Sequence, residues 1–155
     1  MFAALHVPDL TIAAALRAFP AGQGKPCAVL EADIDPDAAM EKIKLRLQAV
    51  NDHALATGIS AGWPLNRALV RCPDLQVLSP HPPGEADLLR ELVAVAESFT
   101  PDLEITGRDT LLMDLSRASS RQMAGLAHAE LEDASLHHAR ATTPDLAKLA
   151  VRHPS

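Results

Sequence analysis

The run from Gly58 to Leu78, GISAGWPLNRALVRCPDLQVL, constrains this chain more than any other stretch. It reads as a tight turn, a short amphipathic helix, a proline-broken turn and then a β-strand. Gly58 and Gly62 supply the φ freedom that bulkier residues lack. Pro64 suits a first helical turn, where its missing N–H costs nothing, and Pro73 ends the helix. Leu65, Ala68, Leu69 and Cys72 recur at helical spacing and form one apolar stripe.

The flanking sequence supplies a larger frame. Met1 to Val7 is a short apolar run that reads as a buried strand. Pro8-Asp9 opens a helix, with Asp9 as its N-cap and Leu10, Ala13, Ala14 and Leu16 on the inner side. Pro20 to Gly24 is a turn and Pro26 to Glu31 a second strand. Ala38 to Val50 reads as a helix, with Met40, Ile43, Leu47 and Val50 inward. Its Glu41, Lys42, Lys44 and Arg46 form a solvated face. Leu75 to Leu78 is a strand, and Ser79-Pro-His-Pro-Pro-Gly84 reads as a hinge or linker. Glu85 to Phe99 is a strong helix with Leu88, Leu89, Leu92, Val95 and Ala96 on one face, stopped by Pro101. Leu103–Ile105 and Thr110–Leu115 read as antiparallel strands joined at Gly107. A helix over Ser119–Leu131, a strand over Leu136–Ala141 and a capped helix over Thr143–Arg152 complete the chain. This order predicts an α/β (α+β) fold of ferredoxin-like kind with a small, mostly helical insertion. The pattern by itself carries no function.

Composition narrows the function classes. The chain has 155 residues, enough to bury a real core, with 48% apolar and 22% charged residues. Its formal net charge is −6, and it has no Tyr, one Trp and three Phe. Duplex binders neutralise phosphates with a basic face, and single-strand binders stack bases on aromatics, so strong DNA binding by this chain alone is not expected. Cys27 and Cys72 show neither metal spacing nor a disulfide framework, which suits a reducing cytoplasm. No apolar run is long enough to span a membrane, and Met1-Phe-Ala-Ala-Leu lacks the basic start of a signal peptide. Cytoplasmic residence, without a membrane partner, is the expectation.

The Gly58–Leu78 run resembles the fingers of Y-family translesion DNA polymerases, where G-V-x-x-G-M-P-L-x-x-A-x-x-x-C-P-x-L follows the nucleotide-contacting helix. Leu5-His6-Val7 looks like the end of that family's first palm strand, and Pro26-Cys-Ala-Val-Leu like its second strand. Phe99-Thr-Pro-Asp-Leu-Glu104 is similar to the family's T-P-x-V-E, and Leu112-Met-Asp-Leu115 to its F-L-D-L. Thr142-Thr-Pro-Asp-Leu-Ala-Lys-Leu-Ala150 is similar to a late palm helix carrying L-A-K-L-A. The resemblance implies a ferredoxin-like palm, residues 1–34 and 79–155, interrupted by a fingers insertion, residues 35–78. The chain stops where a thumb and little finger would begin, so the expectation is either a fragment or a short version.

Polymerase chemistry needs divalent ions held by several carboxylates, with hard oxygen ligands in near-octahedral geometry. The resemblance places the family's D-x-D at Pro8-Asp9-Leu10, so Pro8 and Leu10 occupy the acidic slots and Asp9 falls between them. The family's D-E pair falls on Asp109 and Thr110, which keeps one acid. Its triphosphate-binding Y-E-A-R falls on Asp52-His-Ala-Leu55, so the Tyr and Arg slots hold Asp52 and Leu55. The expectation is therefore no catalytic, nucleotide-binding or metal site and no cofactor. The resemblance is nearest to the degenerate, ImuB-like branch, which acts in damage-induced (SOS) mutagenesis as an adaptor. By resemblance the partners are an error-prone replicative-type polymerase, a recombinase-like accessory protein and the sliding clamp, whose binding motif is not in this chain.

Plainer readings stand beside these. Asp9 serves as an N-cap, Asp109 as a turn residue near Gly107, and Asp114 as a solvent-side strand residue. His137 and His138 are neighbours in a strand, so one faces in and one out. His6, His53 and His128 show no ligand spacing. Trp63 takes the slot where the family often has Met, as packing or as a contact to a base or partner. The rival functions are a fragment of an active translesion polymerase and an unrelated ferredoxin-like regulatory or binding module.

Overall fold

The computed structural model describes residues 1–31, 45–131 and 136–152. In chain order the first elements are β1 (Phe2–His6), α1 (Leu10–Ala18), a 3-10 turn at Pro20–Gly22, β2 (Cys27–Leu30), β3 (Leu47–Val50), α2 (Asp52–Ala56), α3 (Leu65–Arg71) and β4 (Gln76–Leu78). There follow α4 (Pro82–Glu97), β5 (Leu103–Ile105), β6 (Thr110–Asp114), α5 (Ser120–Leu126), β7 (His137–Ala141) and α6 (Pro144–Arg152). They form two compact units, Met1–Pro8 with Ala86–Ser155, and Asp9–Glu85.

The first unit is built on a four-stranded sheet in the order β5-β6-β1-β7. β1 pairs antiparallel with β6, from Phe2↔Asp114 to His6↔Thr110, and with β7, from Phe2↔Ala141 to His6↔His137. A strand paired on both edges and covered on both faces must be apolar throughout, and Ala3, Ala4 and Leu5 are fully buried. Alternation sets the faces. Ala4, Leu112, Ala139 and Ala141 share one face with Ala147 and Val151 of α6. Small strand residues let that helix approach closely. The capping box expected of a helix start is present at α5. Ser119 Oγ accepts from Gln122 N (3.2 Å), and Gln122 Oε1 accepts from Ser119 N (2.8 Å). α5 ends at Leu126 rather than at Leu131, with the poor helix former Gly125 in its last turn.

The second unit holds a three-stranded sheet in the order β3-β2-β4, with β3 antiparallel and β4 parallel to β2. β2 is buried along its whole length. Ala28 and Leu30 face a cluster with Leu47, Ile59, Leu65 and Ala68, while Cys27 and Val29 face Ile12, Ala15 and Leu16 of α1. The two compact units meet in sequence at Pro8–Asp9 and Glu85–Ala86. Within the second, β2 is the central strand of the sheet and α1 packs on it.

Several local expectations change. Of the helix expected over Ala38–Val50, residues 38–44 lie outside the described residues, and Leu47–Val50 is strand. Leu47 and Val50 are three apart, which reads as helical spacing. In the structure β3 pairs Val29↔Ala49 and then Leu30↔Leu47, and this register shift skips Gln48. The bulge turns both Leu47 and Val50 onto the core face, so a strand imitates a helix stripe. α2 was not expected. The 79–84 linker is partly helix, because Pro82 and Pro83 fit the first turn of α4 and His81 Nδ1 accepts from Gly84 N at 2.9 Å. Asp9 occupies the N-cap position of α1 but with φ 52° and no side-chain cap bond. On α1, Ile12 and Ala15 are buried, and Ala13 is only half-buried.

Asn51 ties this second sheet together. Its Oδ1 accepts from Ala54 N (3.0 Å), capping α2, and from Cys27 N (2.9 Å), while Nδ2 donates to Lys25 O (2.7 Å). Asn51→Ala breaks all three and leaves donors unpaired, so it is expected to lower unfolding stability by about 2–3 kcal/mol. Asn51→Asp keeps both accepting roles but sets a carboxylate oxygen against the Lys25 carbonyl in place of a donor, so it is expected to recover only part of that loss. Urea unfolding of the two variants against wild type measures both.

Candidate functional site

The C-terminal end of β1 and the N-terminal ends of β6 and β7 meet at one edge of the first sheet. Register alone puts His6 opposite Thr110 on one side and His137 on the other. The three share the face that α6 covers. The β5–β6 turn closes through Thr106 N donating to Thr110 O at 3.1 Å. That turn places Asp109 just before β6, where its carbonyl accepts from Val7 N at 2.9 Å.

His6 Nδ1 lies 3.2 Å from the Asp109 carbonyl and 3.1 Å from Thr110 Oγ1. A carbonyl only accepts, so Nδ1 carries the proton in this arrangement and shares it between the two oxygens. The Thr110 hydroxyl donates to Asp109 Oδ1 at 2.8 Å. The same oxygen lies 3.6 Å from His6 Nδ1 and 3.9 Å from Arg152 Nη2 at the end of α6. The His6 and His137 rings are 6.2 Å apart and tilted by 58°. The Asp109 carboxylate is thus ringed by a hydroxyl donor, an imidazole and a guanidinium.

The expected slots separate. Asp109 and Thr110 sit in this cluster, with Thr110 fully buried. Pro8 is half-buried just past β1 and carries no N–H to extend the strand ladder. Leu10 is buried as the first residue of α1, within the second unit. Asp52 and Leu55 are exposed on α2, one helical turn apart. Sequence reading missed His6, His137 and Arg152 as members of the cluster. Their proximity comes from strand register and helix packing over long sequence distances, and the one available signal was the predicted β1 itself.

Elsewhere the titratable groups have structural explanations. Burial pushes the Cys27 thiol up, with Lys25 opposing, and Sγ donates to the Gly22 carbonyl at 3.1 Å, which suits an unreactive thiol. Partial burial, Arg140 and His137 hold His138 below its ordinary value. Among the described residues no group of three or more His, Cys, Asp or Glu converges as metal ligands. None of the described helices is long and apolar enough to cross a membrane.

At the far end of the same sheet, Phe2 and Leu112 floor an open hollow of about 290 Å³ rimmed by Asp102, Glu104 and Asp114. The Ser116 hydroxyl, and next its backbone N–H (2.8 Å), donate to Asp114 Oδ1 and lower its pKa. A carboxylate with a lowered folded pKa stabilises the fold above its unfolded pKa and loses that contribution as pH falls through the folded value. Ser116→Ala is therefore expected to raise the Asp114 pKa measured by NMR titration. Its stability deficit against wild type is expected at pH 7 and to shrink below about pH 4.

The sequence matches the impB/mucB/samB family over residues 12–152, nearly the whole chain. The chain belongs to that family. Its fold is that of the Y-family DNA polymerases. A Y-family DNA polymerase chimera built on Dbh superposes with a TM-score of 0.80 at 17% identity, covering 98% of this chain and 46% of that one. An insertion ternary complex of Dbh DNA polymerase gives 0.78 at 16% identity, covering 98% and 46%. DinB from Sulfolobus solfataricus gives 0.75 at 17%, covering 98% and 45%. The chain therefore spans less than half the length of these structures. No curated protein matches the sequence closely enough to count as a relative.

A polymerase fold raises the question of divalent cations. The residues around Asp109 do not fit them. Among the described residues one carboxylate lies in this cluster, its Oδ1 accepts the Thr110 hydroxyl, and a guanidinium stands 3.9 Å from that oxygen. Magnesium needs several hard oxygens in near-octahedral array. Calorimetric titration with Mg²⁺ or Mn²⁺ is expected to show only the weak, non-stoichiometric heat of an acidic surface. A stoichiometric site of sub-millimolar affinity contradicts this.

Proposed function

We propose that this chain is the palm and fingers part of a Y-family-like protein that has lost polymerase chemistry and serves DNA damage tolerance as an adaptor, in the manner of ImuB-like proteins. On this reading the first unit corresponds to the palm and the second to the fingers. The observation that carries the proposal is the setting of Asp109, the one acid at the four expected slots: the Thr110 hydroxyl donates to its Oδ1, and His6 and Arg152 stand beside it. Two-metal catalysis aligns the attacking and leaving oxygens by charge. Here the positive charge at the strand ends is a side chain, Arg152, and the remaining acid is spent on it. The Tyr and Arg slots of the triphosphate site hold Asp52, whose charge repels phosphate, and the aliphatic Leu55. Binding of DNA by this chain alone is weak, in keeping with a net charge of −6. The work of the protein then lies in contacts with an error-prone replicative-type polymerase, a recombinase-like accessory protein and the sliding clamp. Cytoplasmic residence in a bacterial cell belongs to the same reading.

Primer extension tests it. Wild type and a Pro8→Asp, Leu10→Asp, Thr110→Glu variant are assayed on a labelled primer with Mg²⁺ and with Mn²⁺. No incorporation is expected from either. Rate in such enzymes rests on positioning the triphosphate as well as on the metals, and restored acids leave Asp52 and Leu55 unchanged. Two of the three substitutions also place carboxylates at buried positions, so a loss of stability is expected. Incorporation by wild type sinks the adaptor reading. Incorporation by the variant alone shows that the acids were the only loss.

A further inference from the structure

The outward face of α3 is a basic island on an acidic chain, which carries 20 Asp and Glu against 14 Lys and Arg. Leu65, Ala68 and Cys72 point into the core of the second unit. The opposite side of the helix presents Asn66, Arg67, Val70 and Arg71, all exposed, and Val70 is 84% exposed. Arg67 and Arg71 are one helical turn apart and share that side.

Both cations are held by neutral groups. The Arg67 guanidinium lies 4.0 Å above the centroid of the Trp63 ring, which itself packs against the core. Arg71 Nε donates to the Thr57 carbonyl at 2.7 Å, with its guanidinium beside Gly58. A Cβ on Gly58 would stand 3.3 Å from Arg71 Nη2, so the glycine lets the guanidinium close on the turn. Among the described residues neither arginine has a carboxylate within ion-pair distance. A guanidinium has five N–H donors, and the Thr57 bond occupies one of those on Arg71. Arginines fixed in advance lose less rotamer freedom on binding an anion than free ones.

We propose that this face docks an acidic peptide segment of a partner protein, its carboxylates on Arg67 and Arg71 and an apolar side chain over Val70. The choice of a protein occupant rests on the adaptor reading above. The local chemistry favours the same choice over nucleic acid. Trp63 has Arg67 on its ring and the core beneath it, so it offers no free face to a base. Val70, beside the arginines on the exposed side of the helix, gains nothing from a phosphate backbone and is stabilised by covering with apolar surface. Leu69, 37% exposed at the flank of the helix, widens the apolar strip.

Trp63 is the single tryptophan of the chain and reports on the face directly. The full chain is titrated with a synthetic peptide of about ten residues, a Leu-Phe pair flanked by Asp and Glu. Fluorescence and calorimetry are read in parallel. Controls are the same peptide with Lys for its acids, with Ser for Leu-Phe, and an oligothymidylate of equal length. Saturable binding of the acidic apolar peptide is expected, with neither altered peptide matching it. Arg67→Ala and Arg71→Ala are each expected to weaken it about fivefold or more. Val70→Ser is expected to weaken it about threefold. Val70 points to solvent and Arg67 covers only the outer face of Trp63, so these two variants are expected to keep the fold, which a thermal melt checks. The proposal is overturned by absence of saturable binding, by equal binding of the Ser-substituted peptide, or by tighter binding of the oligothymidylate lost in the same arginine variants. Failure here leaves the primer-extension result untouched. Nucleotide incorporation would remove the adaptor reading while leaving this binding measurable.

Discussion

The double pairing of β1 governs the first unit. A five-residue strand held antiparallel on both edges has one admissible register, because a slip of one residue exchanges its two faces. Ala4 meets α6 on one face, and Leu5 is buried on the other. The register that satisfies both sets His6 between Thr110 and His137. The cluster at the strand ends is thus a by-product of core packing. No residue of it needs a special backbone conformation to arrive there.

What the register delivers is a carboxylate with its electrostatic demands met from within the chain. Asp109 is about one-third exposed and Arg152 about half exposed. A pair so open to solvent contributes little to stability. Its consequence is for occupancy. A cation approaching Oδ1 competes with the Thr110 hydroxyl and meets the charge of the Arg152 guanidinium, and among the described residues no second carboxylate joins the cluster. On the adaptor reading, competition at one oxygen bears as much weight as the residues at the acidic slots. It is independent of the identity shared with the solved polymerases, which at 16–17% speaks for fold alone.

Elements whose signal is local were legible in the sequence. β1, β2, the β5–β6 hairpin and α6 stand where apolar runs, Gly107 and the Thr143-Pro144 start placed them. The turn before α3 needs positive φ at Gly58 and Gly62, and both glycines adopt it. Features that depend on partners were not legible. β3 was read as helix because a bulge opposite β2 gives Leu47 and Val50 the spacing of a helix stripe. α2 was invisible because its start is set by Asn51, whose amide also bonds the residues around the start of β2. Likewise Asp109 and Thr110 were identified as a pair by position. Their setting depends on His6, more than a hundred residues away in sequence, and on the last turn of α6.

The two units distribute their charge in ways that bear on function separately. In the first, the Arg152 guanidinium stands beside the Asp109 carboxylate, and carboxylates rim the hollow at the other end of the sheet. In the second, Arg67 and Arg71 face outward and are braced by an aromatic ring and a backbone carbonyl. A guanidinium set on neutral partners meets an incoming anion with no competing acid beside it, while one near a carboxylate already has an acid for company. By that criterion the strand-end cluster is closed chemistry and the α3 face is open. On the adaptor reading the strand-end cluster accounts for the absence of a reaction and the α3 face for a contact, each within its own unit.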